Sequence, residues 1–251
     1  MPNTESPEPH LGWHSRGYLP HWDHPGMIQS LNFRLADALP QAVLERWRIE
    51  FETVPKPHAS LHPEAPVSMP ANPKTATRRP AGKTVRAALG QGHIERHRSI
   101  ELRRRIEEYL DAGLGDCWLR QPEIARLVEA TLLRFDPERY RLLAWCVMPN
   151  HVHALIETSE GWPLAGILHS WKSFTGSRAN ELLGRRGEFW QREYLDRYVR
   201  NEQHYKNVLA YIEENPVKAG LAQLKTNWPW SSARFRAINV GIGGAGTAAG
   251  A

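Results

Sequence analysis

Residues 147–157 read VMPNHVHALIE, two histidines flanking one valine inside an apolar run. Histidine seldom sits in a strand core unless its ring nitrogens are engaged. The preceding YRLLAWCVM (140–148) is continuously apolar, as an interior strand is. Pro149-Asn150 supplies a tight turn, and HVHALIET returns as the next strand. Side chains alternate along a strand, so His151 and His153 share one face and Val152 points to the other. Imidazoles about 7 Å apart on one face can share a divalent cation. The pair alone also fits a buried hydrogen-bonding histidine beside an exposed one.

Upstream, IQSLNFRL (28–35) alternates with Leu31, Phe33 and Leu35 on one side, the pattern of a half-buried strand. QPEIARLVEATLLRF (121–135) is a helix with the stripe Ile124, Leu127, Val128 and Leu132. PLAGILHSWKSFTGSRANELLG (163–184) places Leu164, Ile167, Leu168, Trp171 and Phe174 at helical spacing, with Gly184 as its stop. EFWQREYLDRYV (188–199) reads as an aromatic strand. NEQHYKNVLAYIEEN (201–215) reads as a helix with Asn201 as N-cap and Pro216 just past its end. This order predicts an α+β fold, a ferredoxin-like β-α-β-β-α-β sandwich with helices on one face of an antiparallel sheet, followed by one more helix.

The last helix carries a core stripe of Tyr205, Val208, Leu209 and Ile212. Tyr211 and Asn215 are four residues apart and stack on one side, roughly 90° from the centre of that stripe. At that edge a side chain can reach a cleft. A phenol is an oxygen nucleophile once its proton is removed, and an amide carbonyl is a hard ligand beside two imidazoles. Tyr211 alone also fits a partly buried aromatic bonded to water. His204 falls on the same flank, as a supporting partner or a solvated ring.

The rest of the chain divides by composition. Residues 1–26 are rich in Pro, His and Gly and read as an arm, either laid over the domain or touching nucleic acid. Residues 27–236 form the main domain, interrupted at about 54–98 by a Pro/Ala-rich, basic-ended insertion. From about 94 to 110, ERHRSIELRRRIEEYL reads as a highly charged, exposed helix. Residues 237–251, ending in VGIGGAGTAAGA, read as a disordered tail.

With 251 residues, 41% of them hydrophobic, the chain can bury one sizeable core. The net charge of +5 permits an anionic partner without requiring one. Cys117 and Cys146 form no disulfide framework or zinc pattern. MPNTESPEPH lacks a signal-peptide pattern, and no apolar run approaches the ~20 residues of a bilayer span. A soluble cytoplasmic protein with no membrane partner is expected.

Taken together, CVMPNHVHALIE, SWKSF, EFWQREYLDRYV, YIEENPVKAGL and WPWSSARF follow one another in an order that resembles the REP-associated tyrosine transposases, within the HUH (His-hydrophobic-His) single-tyrosine superfamily. The resemblance spans about 120–236 and reaches back through RGYLPH and FRLADALP. It implies metal-dependent cleavage and rejoining of single-stranded DNA at palindromic hairpins. It implies Tyr211 as nucleophile and His151, His153 and Asn215 as ligands of Mg²⁺ or Mn²⁺. Arg16, Tyr18, His21, Lys172, Arg178 and Arg192, with Arg185 and Arg186, are candidate DNA contacts. Tyr194, Tyr198 and Tyr205 are rival tyrosines without an Asn or Gln four residues on. The chain would act as a monomer or homodimer. A water-using metal phosphodiesterase and a non-catalytic hairpin binder remain alternatives.

Overall fold

The structure is a computed structural model. It describes residues 26–53 and 100–236, with side chains from 26–50 and 100–236, and the backbone of Gly12–Ser15 and Pro20–Asp23. Most of the arm, the insertion and the tail therefore lie outside the described residues. The chain divides into one unit formed by Met1–Pro40 and Arg105–Ala251 and a second formed by Gln41–Arg104.

In chain order the elements are β1 (Gly12–Ser15), β2 (Pro20–Asp23), β3 (Ile28–Leu35), α1 (Gln41–Thr53), α2 (100–111), α3 (Pro122–Leu133), β4 (Tyr140–Val147), β5 (His151–Thr158), α4 (Leu164–Leu182), β6 (Trp190–Tyr198) and α5 (Glu202–Lys218). The strands β1 and β2 pair in a separate two-stranded ribbon, while α1 belongs to the second unit. The main sheet runs β4-β5-β3-β6 with every neighbour antiparallel. With α3 before β4 and α4 before β6, this is the expected ferredoxin-like arrangement.

The two faces of the sheet do different jobs. On one, Trp171 of α4 packs against Phe33 and meets Tyr140 edge-on at 5.0 Å. Its indole N–H donates to the Tyr140 hydroxyl, which in turn donates to Leu132 O on α3. The buried aromatics thus have satisfied polar tips, as their burial requires. On the other face, Ile212 of α5 packs with Ala144, Cys146, Met148 and Leu155. Leu155 lies two residues beyond His153, so α5 covers the face that carries both histidines.

A register shift between Leu142 and Ala144 reconciles the two halves of β4. Before it, Tyr140 and Leu142 face α4; after it, Ala144 and Cys146 face α5. This is the usual effect of one extra residue in a strand. As an edge strand, β4 also has a row of backbone groups to satisfy. The segment 228–232 meets them: Val147 N donates to Trp230 O, Ser232 N to Trp145 O, and the Trp228 indole to Val147 O. WPWSSARF is therefore a strap along the sheet edge. Its Ser232 hydroxyl and Arg236 reach the fully buried carboxylate of Glu213 on α5.

Three expectations change. The helix of residues 201–215 does not stop before Pro216; α5 runs through it to Lys218. Proline removes only its own N–H, the one that would meet Ile212 O, and the turns after it close normally: Ala219 N donates to Asn215 O and Leu221 N to Pro216 O. The charged helix is not simply exposed either. Within α2, Leu102, Ile106 and Leu110 form a buried stripe at i, i+4 spacing. The third is Phe174, which is exposed although it lies on the helical stripe of α4, while Leu164, Ile167, Leu168 and Trp171 are buried. Asn201 caps α5 as expected, its side chain accepting from His204 N at 2.8 Å. Both cysteines are free.

Candidate active site

The site begins with Asn150, the last residue of the turn into β5. Its Nδ2 donates to Leu110 O at 3.1 Å and Leu114 O at 2.9 Å. That fixes the amide orientation and leaves Oδ1 as an acceptor, 2.7 Å from His151 Nδ1. Nδ1 of His151 therefore carries the ring proton, and Nε2 carries a lone pair. The same residue ties the C-terminal end of α2 to the ring, which is how Asp111 is brought in. Gly115 permits the turn that follows: its φ is +91°, and a Cβ there would meet Asp37 Oδ2 at 2.8 Å.

His151 Nε2 faces His153 Nε2 at 2.9 Å, with the rings edge-on. Asn215 Nδ2 lies 3.0 Å from His153 Nε2. Asp111 Oδ1 is 3.5 Å from His151 Nε2. Asp111, His151 and His153 offer ligand atoms all within 4.8 Å of one another. Asn215 Oδ1 is buried without a hydrogen-bond partner. Burial holds both rings neutral: it drives His151 well below its ordinary value, helped by His153 and Arg34, and takes His153 down to about 3. Burial raises the Asp111 carboxyl to about 6, against the opposing pull of Lys218 and a hydrogen bond from Asn215.

His151 Nε2 has only a lone pair to offer at the 2.9 Å contact, so His153 either donates its own Nε2 proton there or, with that proton on Nδ1, adds a second lone pair that a positive centre can share with Asp111. Two nitrogens and a carboxylate oxygen suit a divalent cation, and exchanging the Asn215 amide atoms by a half-turn brings a second oxygen to the set. The residues present thus fit the expected metal, with Asp111 added to the three donors read from sequence.

Tyr211 stands beside this cluster. Its ring meets that of His153 edge-on at 5.5 Å, and Lys218 Nζ lies 4.6 Å from its centroid. The hydroxyl donates to Glu107 Oε2 at 3.5 Å. Burial, then the charges of Glu107 and Asp111, push the phenol above its ordinary value, so it is un-ionised. His204 is not here. It sits at the start of α5, its Nδ1 accepting from Arg200 N. Among the rival tyrosines, Tyr194 is buried in β6 and Tyr205 packs into the apolar cluster under α5.

The candidate DNA contacts are spread more widely. Lys172 Nζ donates to Gln191 O at 2.5 Å and Arg192 O at 2.7 Å, and burial lowers it to about 8. Arg178 is exposed and pairs with Glu181. Arg185 lies over Trp118 and Phe189. A groove of about 470 Å³ between α4 and β6 is lined by His169, Lys172, Asn180 and Arg192, among others. Arg16 and Tyr18 lie outside the described residues, and His21 is described only as backbone on β2.

Residues 123–215 match the family model described as Transposase IS200 like, from the start of α3 to Asn215 itself. Over that stretch, from α3 into α5, the chain is similar to the IS200-like transposases. Among curated relatives, an Escherichia coli REP-associated tyrosine transposase is 27% identical over 93 residues, 37% of this chain and 54% of its own length. A Haemophilus influenzae protein, named provisionally as another, is 27% identical over 103 residues, 37% of this chain and 58% of its own. The chain thus spans little more than half the length of the curated relatives it matches. A solved structure of a REP-associated tyrosine transposase bound to a REP hairpin is 14% identical, with a TM-score of 0.47 and 94% of each chain covered.

Sequence reasoning missed Asp111, Glu107 and the clamp made by Asn150. In IEEYLDAG the two acids are four residues apart, one helical turn. That spacing mirrors Tyr211 and Asn215, and was the available signal.

Proposed function

We propose that this chain is a transposase, a metal-dependent endonuclease and strand transferase for single-stranded DNA, acting at palindromic hairpins through a 5′-phosphotyrosine. The observation carrying the reading is that Tyr211 and Asn215 of α5 meet His151 and His153 of β5 in one cluster, on the face of the sheet opposite α3 and α4. The hairpin substrate is supported by the five ordered motifs and by the REP-associated naming of the curated relatives.

In this scheme Tyr211 Oη attacks the scissile phosphorus, the P–O3′ bond breaks, and a 3′-hydroxyl departs. The phosphate ester is retained in the tyrosine link, so a 3′-hydroxyl can reverse the step without a nucleotide cofactor. His151, His153, Asn215 and Asp111 would hold a divalent cation, Mg²⁺ or Mn²⁺, which when bound supplies electrostatic stabilisation at the phosphate. Asn150 keeps the His151 lone pair aimed inward, and Lys218 brings positive charge to the same opening. The groove carrying Lys172 and Arg192, with Arg178 beside it and the arm residues Arg16, Tyr18 and His21, is the proposed track for the strand.

The test is a denaturing gel with an end-labelled hairpin oligonucleotide and Mn²⁺. A covalent adduct is expected with the wild type and not with Tyr211→Phe. Product without adduct assigns the attack to water. Tight hairpin binding indifferent to Mn²⁺ and to Tyr211→Phe makes the chain a binder.

A further inference from the structure

Four side chains on two helices meet in matched register. On α2, Glu107 and Asp111 are one turn apart; on α5, Tyr211 and Asn215 are one turn apart. Asp111 faces the imidazoles and Asn215, and Glu107 faces the phenol. The face of α2 that completes the cation cluster therefore also brings a carboxylate to the nucleophile.

The contact has the direction proton removal needs. Tyr211 Oη donates to Glu107 Oε2 at 3.5 Å, and apo contacts of this kind tighten once substrate is bound. Asn215, a second neighbour of the phenol, has no basic atom to take a proton. His151 and His153 turn their Nε2 atoms toward one another. Lys218 lies against the ring and is a cation. Glu107 is half-buried at the rim, where solvent can exchange a proton with it.

We propose that Glu107 is a catalytic residue, the base that receives the Tyr211 proton as Oη attacks phosphorus; this rests on the phosphotyrosine reading. The Oη–P bond forms and the P–O3′ bond breaks. The proton passes from Oη to Glu107 Oε2. The departing 3′-oxygen takes a proton from water, and Glu107 returns its own to the hydroxide left behind. Rejoining runs the same path backward, with Glu107 handing a proton to the phenol.

The experiment is single-turnover adduct formation on a labelled hairpin with Mn²⁺, comparing wild type, Tyr211→Phe, Glu107→Gln and Glu107→Ala, the last with and without formate. Hairpin affinity, Mn²⁺ affinity and melting temperature are measured for each. Glu107→Gln is expected to slow the adduct roughly 10²–10⁴-fold, the span of general-base catalysis, with both affinities within twofold of wild type. Formate is expected to restore Glu107→Ala at least about tenfold, by supplying a small carboxylate in the space vacated. A wild-type rate in Glu107→Gln overturns the proposal. So does a slow variant that has lost Mn²⁺, or one that formate does not rescue. Absence of an adduct in the wild type sinks the phosphotyrosine reading itself, and the base with it.

Discussion

His151 and His153 present their Nε2 atoms to each other at 2.9 Å, and Asn150 leaves the first of these no proton to share. A cation can replace whatever proton His153 holds between them, with Asp111 and Asn215 completing its shell, and so binding should be strongly coupled to folding. Mn²⁺ at about 100 times its Kd should stabilise the wild type by about 2.7 kcal/mol, a rise in melting temperature of roughly 5–10 °C. EDTA should reverse it. His153→Ala should abolish the shift, and Asn215→Ala or Asp111→Ala should reduce it. A shift unchanged in all three variants would place the metal elsewhere.

Asn150 joins three backbone or ring partners through one side chain. Asn150→Ala takes the amide donor from Leu114 O, leaves Leu110 O with Gly113 N alone, and frees the His151 ring to turn. The expected cost is about 1–3 kcal/mol of stability in urea melts. Mn²⁺ affinity should fall about 10–100-fold, the usual effect of losing a group that orients a ligand. Unchanged Mn²⁺ affinity in a destabilised variant would confine Asn150 to a structural role.

The metal-free protein should lose stability in acid, with a slope set by three groups. Both histidines ionise below their ordinary 6.5 in the folded state, so the unfolded chain takes up their protons first. Their contribution is present above about pH 6.5 and is lost as pH falls toward 3. Asp111 acts oppositely: raised from 3.8 to about 6, it binds a proton in the folded state first and offsets one ring across that window. Between about pH 4 and 6 the net is one proton, roughly 1.4 kcal/mol per pH unit. Asp111→Asn should therefore steepen the slope toward two protons, and replacing both histidines should reverse its sign, leaving the Asp111 proton alone. Urea midpoints across this range decide the matter; an identical slope in Asp111→Asn would refute the assignment.

The fold was legible wherever one period ran long enough. IQSLNFRL, YRLLAWCV and HVHALIET bury one or both faces, and their pattern shows it. Tyr211 and Asn215 were legible as an i, i+4 pair at the edge of a stripe. What the sequence concealed is held by tertiary contact. Asp111 and Glu107 lie among arginines and glutamates whose charge masks the buried run of Leu102, Ile106 and Leu110. Asn150 reads as a turn residue, and its clamp exists only because residues 110 and 114 return to it from 40 and 36 positions away. Pro216 reads as a stop because local rules penalise it, whereas α5 continues under the strap to Lys218.

That strap makes a last prediction. Glu213 is fully buried on α5, two residues from Tyr211 and from Asn215, and it is held by the Ser232 hydroxyl, Arg236 and Lys225. A buried carboxylate keeps its charge only while such partners surround it. Glu213→Ala strands Ser232 and opens a void between α5 and β4, at an expected cost of about 2–4 kcal/mol. Ser232→Ala and Arg236→Ala loosen the same joint from the other side and should cost less, about 1 kcal/mol each, because Arg236 is half exposed. The losses of Glu213→Ala and Arg236→Ala should be clearly non-additive in a double-mutant cycle, since the two groups share one contact. Hydrogen exchange reads the consequence for the site: amides of α5 around residues 208–215 should lose protection in Glu213→Ala before those of α3 do. Equal loss in both helices would mean that Glu213 supports the whole domain rather than the seating of the tyrosine helix.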